Sequence, residues 1–147
     1  MGSQDPACIF CKIVRREAPA SIVDEDELTL SFLDIQPINP GHVLVVPKEH
    51  AASLADLRPS AGGRLFERGM AIAEMLRGSK LRCEGVNFHL ADGKAAGQEV
   101  FHVHLHVLPR FMGDGFGFRR GPQTGRRADR DGLDAIATRL RAARVGH

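Results

Sequence analysis

The chain has 147 residues, 43% of them hydrophobic, and a formal charge of +2. That apolar content at that length builds one ordinary core and excludes a disordered chain, so a single domain over 1–147 is expected, with 1–7 read as a frayed terminus or a cloning scar. No apolar run approaches the roughly 18 residues of a membrane span, and MGSQDPACIFCK lacks the basic and apolar parts of a secretory signal, which argues against a membrane partner and for the cytoplasm.

Along the chain, Cys8-Ile-Phe-Cys11 comes first, and in a cytosolic protein CxxC suggests metal or redox chemistry. Strands are expected near 21–25 and 28–34, with the acidic DEDE between them as a turn. A third, HVLVV at 42–46, follows the turn former PINPG and stops at Pro47. From Ser60 to about Arg77, Leu65, Phe66, Ile72, Ala73 and Leu76 recur with helical spacing. Ser60 serves as N-cap and Gly78 as stop, and Met70 and Met75 read as packing residues. A strand near 86–91, the glycine-bearing loop DGKAAGQE and a strand over 100–108 follow. The loop MGDGFGFRRGPQTGRR leads to an amphipathic helix over 131–144. Residues 110–147 hold nine Arg against four Asp. This segment could help attract phosphate but reads first as a solvated Arg-rich tail and helix, and no nucleic-acid partner is expected. Sequential strands with one long helix after the third indicate an α+β domain on an antiparallel sheet.

HVHLHVLPR, residues 102–110, places His102, His104 and His106 on one face of a strand and Val103, Leu105 and Val107 on the other. The apolar set belongs to the core, and the imidazoles face a cleft, partners or water. Two chemistries fit: a zinc site that activates water, or one nucleophilic imidazole with the others serving as acid and phosphate-binding groups. The upstream loop Gly93-Lys-Ala-Ala-Gly97-Gln98-Glu99 favours the second, since its backbone N–H groups can approach phosphate oxygens.

GQEVFHVHLHVLPR resembles the histidine triad (HIT) superfamily of nucleotide hydrolases and transferases, whose signature is His-x-His-x-His with apolar x positions and two further apolar residues. CIFCKIVRREAPASIVDEDELTLSFLDIQPINPGHVLVVPKEH is similar to that family's N-terminal half. The resemblance implies a HIT-like α+β fold with a five-stranded antiparallel sheet, one main helix and a C-terminal helix, usually paired as a homodimer. It also implies a purine nucleotide substrate, such as an AMP conjugate, cleaved at its α-phosphate. On this reading His104 is the nucleophile that forms a nucleotidyl-imidazole intermediate, and His106 contacts the phosphate and helps the proton reach the leaving group. Gln98, with the peptide groups of Gly97 to Glu99, stabilises the charged oxygens. Asp34 matches the ribose-binding carboxylate, and Phe10, Ile13, Phe32, Leu33 and Ile35 fall where the family lines its base pocket. Cys8, Cys11, His50 and His102 match a structural zinc site in some bacterial members.

Two positions depart from common patterns: Glu99 stands where animal members carry a Ser, and Ala91, followed by Asp92, where many carry an Asn. His42 and His89, each single on a strand-like segment, receive no role, and His147 is terminal. A nucleoside phosphoramidase-like hydrolase leads. A dinucleoside polyphosphate hydrolase or phosphorylase, and a nucleotide-binding protein with incidental turnover, stay open.

Overall fold

Alternating apolar residues between tight turns build five short strands, β1 (Ile22–Glu25), β2 (Thr29–Leu33), β3 (Val43–Pro47), β4 (Gly85–His89) and β5 (Leu105–Arg110). In this computed structural model, which describes residues 4–117 and 121–144, they form one antiparallel sheet in the order β1-β2-β3-β5-β4. The chain divides after Gly115 into two compact units. No helix among the described residues is long and apolar enough to cross a membrane.

In the first unit, α2 (Pro59–Gly78) covers one face of the sheet. Its Leu65, Ile72 and Leu76 pack with Val43, Val45, Val103, Leu105 and Val107. The crossing is close. A Cβ on Gly69 would lie 3.0 Å from Leu105 Cδ2 and 3.1 Å from the Phe88 ring, so a larger residue there would have to push those side chains aside. On the opposite face α1 (Ile9–Val14) brings Phe10 and Ile13 onto Leu30, Phe32, Leu44 and Val46. With both faces covered, β2 buries Thr29 through Phe32 without alternation.

Several expectations are corrected. The helix α1 was not read from the sequence, because six residues are too few to show a helical period. The N-cap of α2 is Arg58, with Pro59 preset at the first helical position, and Gly78 lies inside the helix rather than stopping it. Phe66, Met70 and Met75 are exposed, not packed beneath the helix. Strand β5 begins at Leu105 rather than 100. Its neighbour β3 ends at Pro47, which has no N–H to extend the ladder, and the Val103 N–H donates instead to Ala51 O at 2.8 Å. Residues 4–7 of the supposed frayed terminus are tied down: the Gln4 side chain donates to Lys48 O and accepts from Arg15.

In the second unit α3 (Arg130–Ala142) starts at Asp129, whose carboxylate accepts from Gly132 N–H at 2.6 Å as an N-cap. Leu133, Ile136 and Leu140 of α3 are exposed. Part of the Gly- and Arg-rich loop, as well as His147, lies outside the described residues.

Candidate active site

The face of the sheet on which α1 packs also carries the imidazoles, and those of His42, His102, His104 and His106 are each oriented by the partner of a ring nitrogen. His104, buried, has Nδ1 2.7 Å from the His102 carbonyl oxygen. A carbonyl only accepts, so Nδ1 carries the proton and Nε2 keeps its lone pair. Burial above all holds the His104 pKa below the ordinary 6.5. The ring stacks edge-on against Phe10, centroids 5.1 Å apart, and against His106 at 4.9 Å.

His106, on β5, takes the complementary state through a residue that the sequence reading left without a role. The Ile38 N–H donates to His42 Nδ1 at 3.1 Å, so neutral His42 is protonated at Nε2, which lies 2.8 Å from His106 Nδ1. His106 Nδ1 therefore accepts, and its own proton sits on Nε2. Burial first, then the neighbouring imidazoles, push the His106 pKa down to about 4, and burial likewise lowers that of His42. The Asp34 carboxylate closes this chain at 3.6 Å from His42 Nε2, and its other oxygen accepts from Gln36 N–H. Asp34, His42 and His106 thus converge as a metal site would. The proton on His42 Nε2 instead hydrogen-bonds the two imidazoles, with the Asp34 carboxylate beside them.

His89, also unassigned from sequence, lies opposite His106 in the β4–β5 register with ring centroids 5.5 Å apart. No local signal marks His42 or His89, since their proximity to the triad follows from the order β3-β5-β4.

His102, fully buried, faces elsewhere. Its Nε2–H donates to Pro47 O at 2.8 Å, and burial lowers its pKa to about 4. Nδ1 is left 3.5 Å from both Cys8 Sγ and Cys11 Sγ and 3.2 Å from His50 Nδ1, with Cys11 Sγ 3.4 Å from His50 Nδ1. A tetrahedral zinc with bonds of about 2.0 Å to nitrogen and 2.3 Å to sulfur has ligand–ligand edges of roughly 3.3 Å between nitrogens, 3.5 Å between nitrogen and sulfur and 3.8 Å between sulfurs. The four atoms already lie near those edges, and thiolates with imidazoles are the donor set zinc prefers. The residues fit the ion.

The remaining predicted positions divide. Phe10, Ile13 and Phe32 are buried in the core cluster beside the imidazoles, whereas Leu33 is partly exposed and Ile35 is 93% exposed. Glu99 is exposed on the loop, and Gly97 takes the left-handed conformation, φ 92°, that ends the turn Lys94–Ala96. The expectation that Gln98 offers its amide to phosphate is corrected. Its Oε1 accepts from Gly93 N–H, and its Nε2 donates to Ala52 O and Val100 O, so the side chain braces the loop from inside. Ala91 is buried, and the neighbouring Asp92 accepts from Leu54 N–H.

Comparison with known proteins places this geometry in context. The model of the HIT domain matches residues 15–113. An uncharacterized HIT-like protein of Borreliella burgdorferi is 49% identical over 115 residues, 78% of this chain and 83% of its own. The adenosine 5'-monophosphoramidase HNT1 of Saccharomyces cerevisiae is 40% identical over 106 residues, covering 72% of this chain and 64% of its own. The adenylylsulfatase HINT3 of Arabidopsis thaliana is 36% identical over 103 residues, 70% of this chain and 52% of its own. Among solved structures, a HIT family protein from Bacillus anthracis matches with a TM-score of 0.85 at 34% identity, over 97% of this chain and 100% of its own. A Zn-bound histidine triad family protein from Mycobacterium smegmatis matches at 0.73 with 43% identity, over 94% and 98%.

Proposed function

Because this chain belongs to the HIT domain family, we propose that it hydrolyses purine nucleotide conjugates at the α-phosphate, as a nucleoside phosphoramidase-like enzyme. The observation that carries this reading is the pair of opposed tautomers, a lone pair on His104 Nε2 beside a proton on His106 Nε2. His104 Nε2 attacks the α-phosphorus while the bond to the leaving group breaks; the His106 Nε2–H hydrogen-bonds the departing atom, which takes its proton from solvent. The resulting imidazolium of His104 keeps its Nδ1–H on the His102 carbonyl, which steadies the charge. In the second half-reaction an attacking water gives up a proton to solvent. The water oxygen then bonds to phosphorus, AMP departs and His104 regains its lone pair. Names of relatives support the class: one acts as a monophosphoramidase and another as an adenylylsulfatase, both on adenylyl groups.

In this reading Asp34 accepts from the ribose hydroxyls, and Phe10, Ile13, Phe32, Leu33 and Ile35 form the side of the site that meets the base. The N–H groups of the Gly97–Glu99 loop meet the phosphate oxygens, with Gln98 as the brace. Cys8, Cys11, His50 and His102 would hold a zinc ion, which supplies a closed structural cross-link and no open position for water. Support for a homodimer comes from β4, an edge strand flanked by the exposed Phe66 and Met70 of α2. Thiolate ligands suit the reducing cytoplasm.

The test is turnover of adenosine phosphoramidate to AMP, with mass spectrometry of quenched protein to find the nucleotidyl group on His104. His104→Ala is expected to lose at least ~10³-fold in kcat. Unchanged turnover in that variant refutes the covalent route.

A further inference from the structure

The sheet order sets His42, His106 and His89 in a row across three adjacent strands, with Asp34 at one end. The far end of the row has no assigned purpose. Phe88 turns toward α2, where it touches Phe66 and the Gly69 position, so His89, the next residue, presents its ring on the triad face. His89 is exposed, and among the described residues its ring contacts His106 and makes no hydrogen bond. Its N–H is available to a ligand, unlike those of His42, His102 and His104, which are committed to other groups.

The geometry points to His89 as a specificity residue: we propose that it donates a hydrogen bond to an oxyanion, phosphate or sulfate, attached to the α-phosphorus on its leaving side. This rests on the nucleotide reading and deepens it. Asp34 fixes the sugar at the β2–β3 side, His104 and His106 hold the α-phosphate, and whatever departs then extends past His106 toward the edge strand, where His89 stands. A tetrahedral oxyanion gains a donor there, whereas a plain amine leaving group has no oxygen to accept the bond. The residue therefore tunes the chain toward anhydride conjugates over phosphoramidates.

The experiment compares wild type, His89→Ala and His89→Gln. Calorimetry measures the affinities of AMP and of α,β-methylene-ADP, a non-cleavable nucleotide with an additional phosphate on the leaving side. In parallel, kcat/KM is measured on adenosine 5'-phosphosulfate and on adenosine phosphoramidate. Wild type is expected to prefer the diphosphate analogue, and His89→Ala to reduce that preference about tenfold, the scale of one charge-assisted hydrogen bond. The ratio of phosphosulfate to phosphoramidate kcat/KM should fall similarly, with part of each loss restored by Gln, which keeps an N–H donor. A change with the diphosphate alone identifies phosphate as the oxyanion recognised, and a change with both identifies any tetrahedral oxyanion. Identical ratios in wild type and His89→Ala overturn the role of His89 while leaving the hydrolase reading intact. Failure of wild type to bind either nucleotide overturns both.

Discussion

Acidification reads the imidazole face through stability. His102 is fully buried, and burial lowers its pKa from 6.5 to about 4, whereas in the unfolded chain the same ring titrates at its ordinary value. Below pH 6.5 the unfolded state therefore binds a proton that the folded state refuses, and stability falls until the folded ring titrates near 4. Above 6.5 both states are neutral and this ring gives no pH dependence. At about 1.4 kcal/mol for each tenfold change in proton activity, His102 alone removes roughly 3 kcal/mol between pH 6.5 and 4. His106, lowered to about 4, and His42 and His104, lowered in the same direction by burial, act with it. Carboxylates act elsewhere. Burial favours a raised pKa at Asp26, but hydrogen bonds from Leu28, Arg64 and Thr29 win and hold it at about 2, so its contribution is lost only as the pH falls through the range from 3.8 to 2. The assay is urea unfolding of chelator-treated protein at pH 7.5, 6.5, 5.5 and 4.5, followed by circular dichroism because the chain has neither Trp nor Tyr. A loss of at least ~2 kcal/mol by pH 4.5 is expected, and an unfolding free energy that stays level from 7.5 to 4.5 refutes the burial argument.

Other substitutions probe single contacts. His42→Ala removes the donor that fixes the His106 tautomer, so kcat on adenosine phosphoramidate should fall roughly 10²-fold with a smaller change in KM; steady-state kinetics decide it. Ser31 Oγ is buried without a partner among the described residues, and Ser31→Ala should raise stability by about 1 kcal/mol in thermal unfolding; a lower Tm would show that the hydroxyl is satisfied. Gly69→Ala pushes a methyl against Leu105 and Phe88 and should cost about 1–3 kcal/mol in the same measurement, despite the better helix propensity of alanine. Chelation of a zinc-loaded sample should lower Tm first, with activity at low temperature declining only afterwards, because the four donors leave no position for catalytic water.

The helix α2 is legible in the sequence because it is long enough to show its period, and the strands β2 and β3 because they are short apolar-rich segments bounded by turn formers. The apolar side of HVHLHV is legible too: Val103, Leu105 and Val107 all enter the core beneath α2. What sequence spacing does not carry is non-local. Strand β5 starts late because Pro47, more than fifty residues upstream, ends the partner ladder. His42 and His89 join the triad because β3 and β4 flank β5, an arrangement with no local signature. Gln98 illustrates a third kind of miss: its place in the loop suggests a group facing phosphate, yet a buried amide first satisfies the backbone groups around it, here three of them.

Strand alternation explains why His102, His104 and His106 share a face, but it treats them alike. Their chemistry diverges at the second ring nitrogen. Pro47 O takes the Nε2 proton of His102 and turns Nδ1 toward the thiols; the carbonyl of His102 itself takes the Nδ1 proton of His104 and bares Nε2. His106 has no carbonyl at that position and receives a proton from His42 instead, which reverses its tautomer. One residue thus serves two clusters: the side chain of His102 joins Cys8, Cys11 and His50, while its backbone fixes the tautomer of His104. An imidazole exchanged between positions 104 and 106 would be the same ring with the opposite proton, so the proposed division, attack by His104 and a hydrogen bond to the leaving group from His106, rests on their partners and not on their order in the motif.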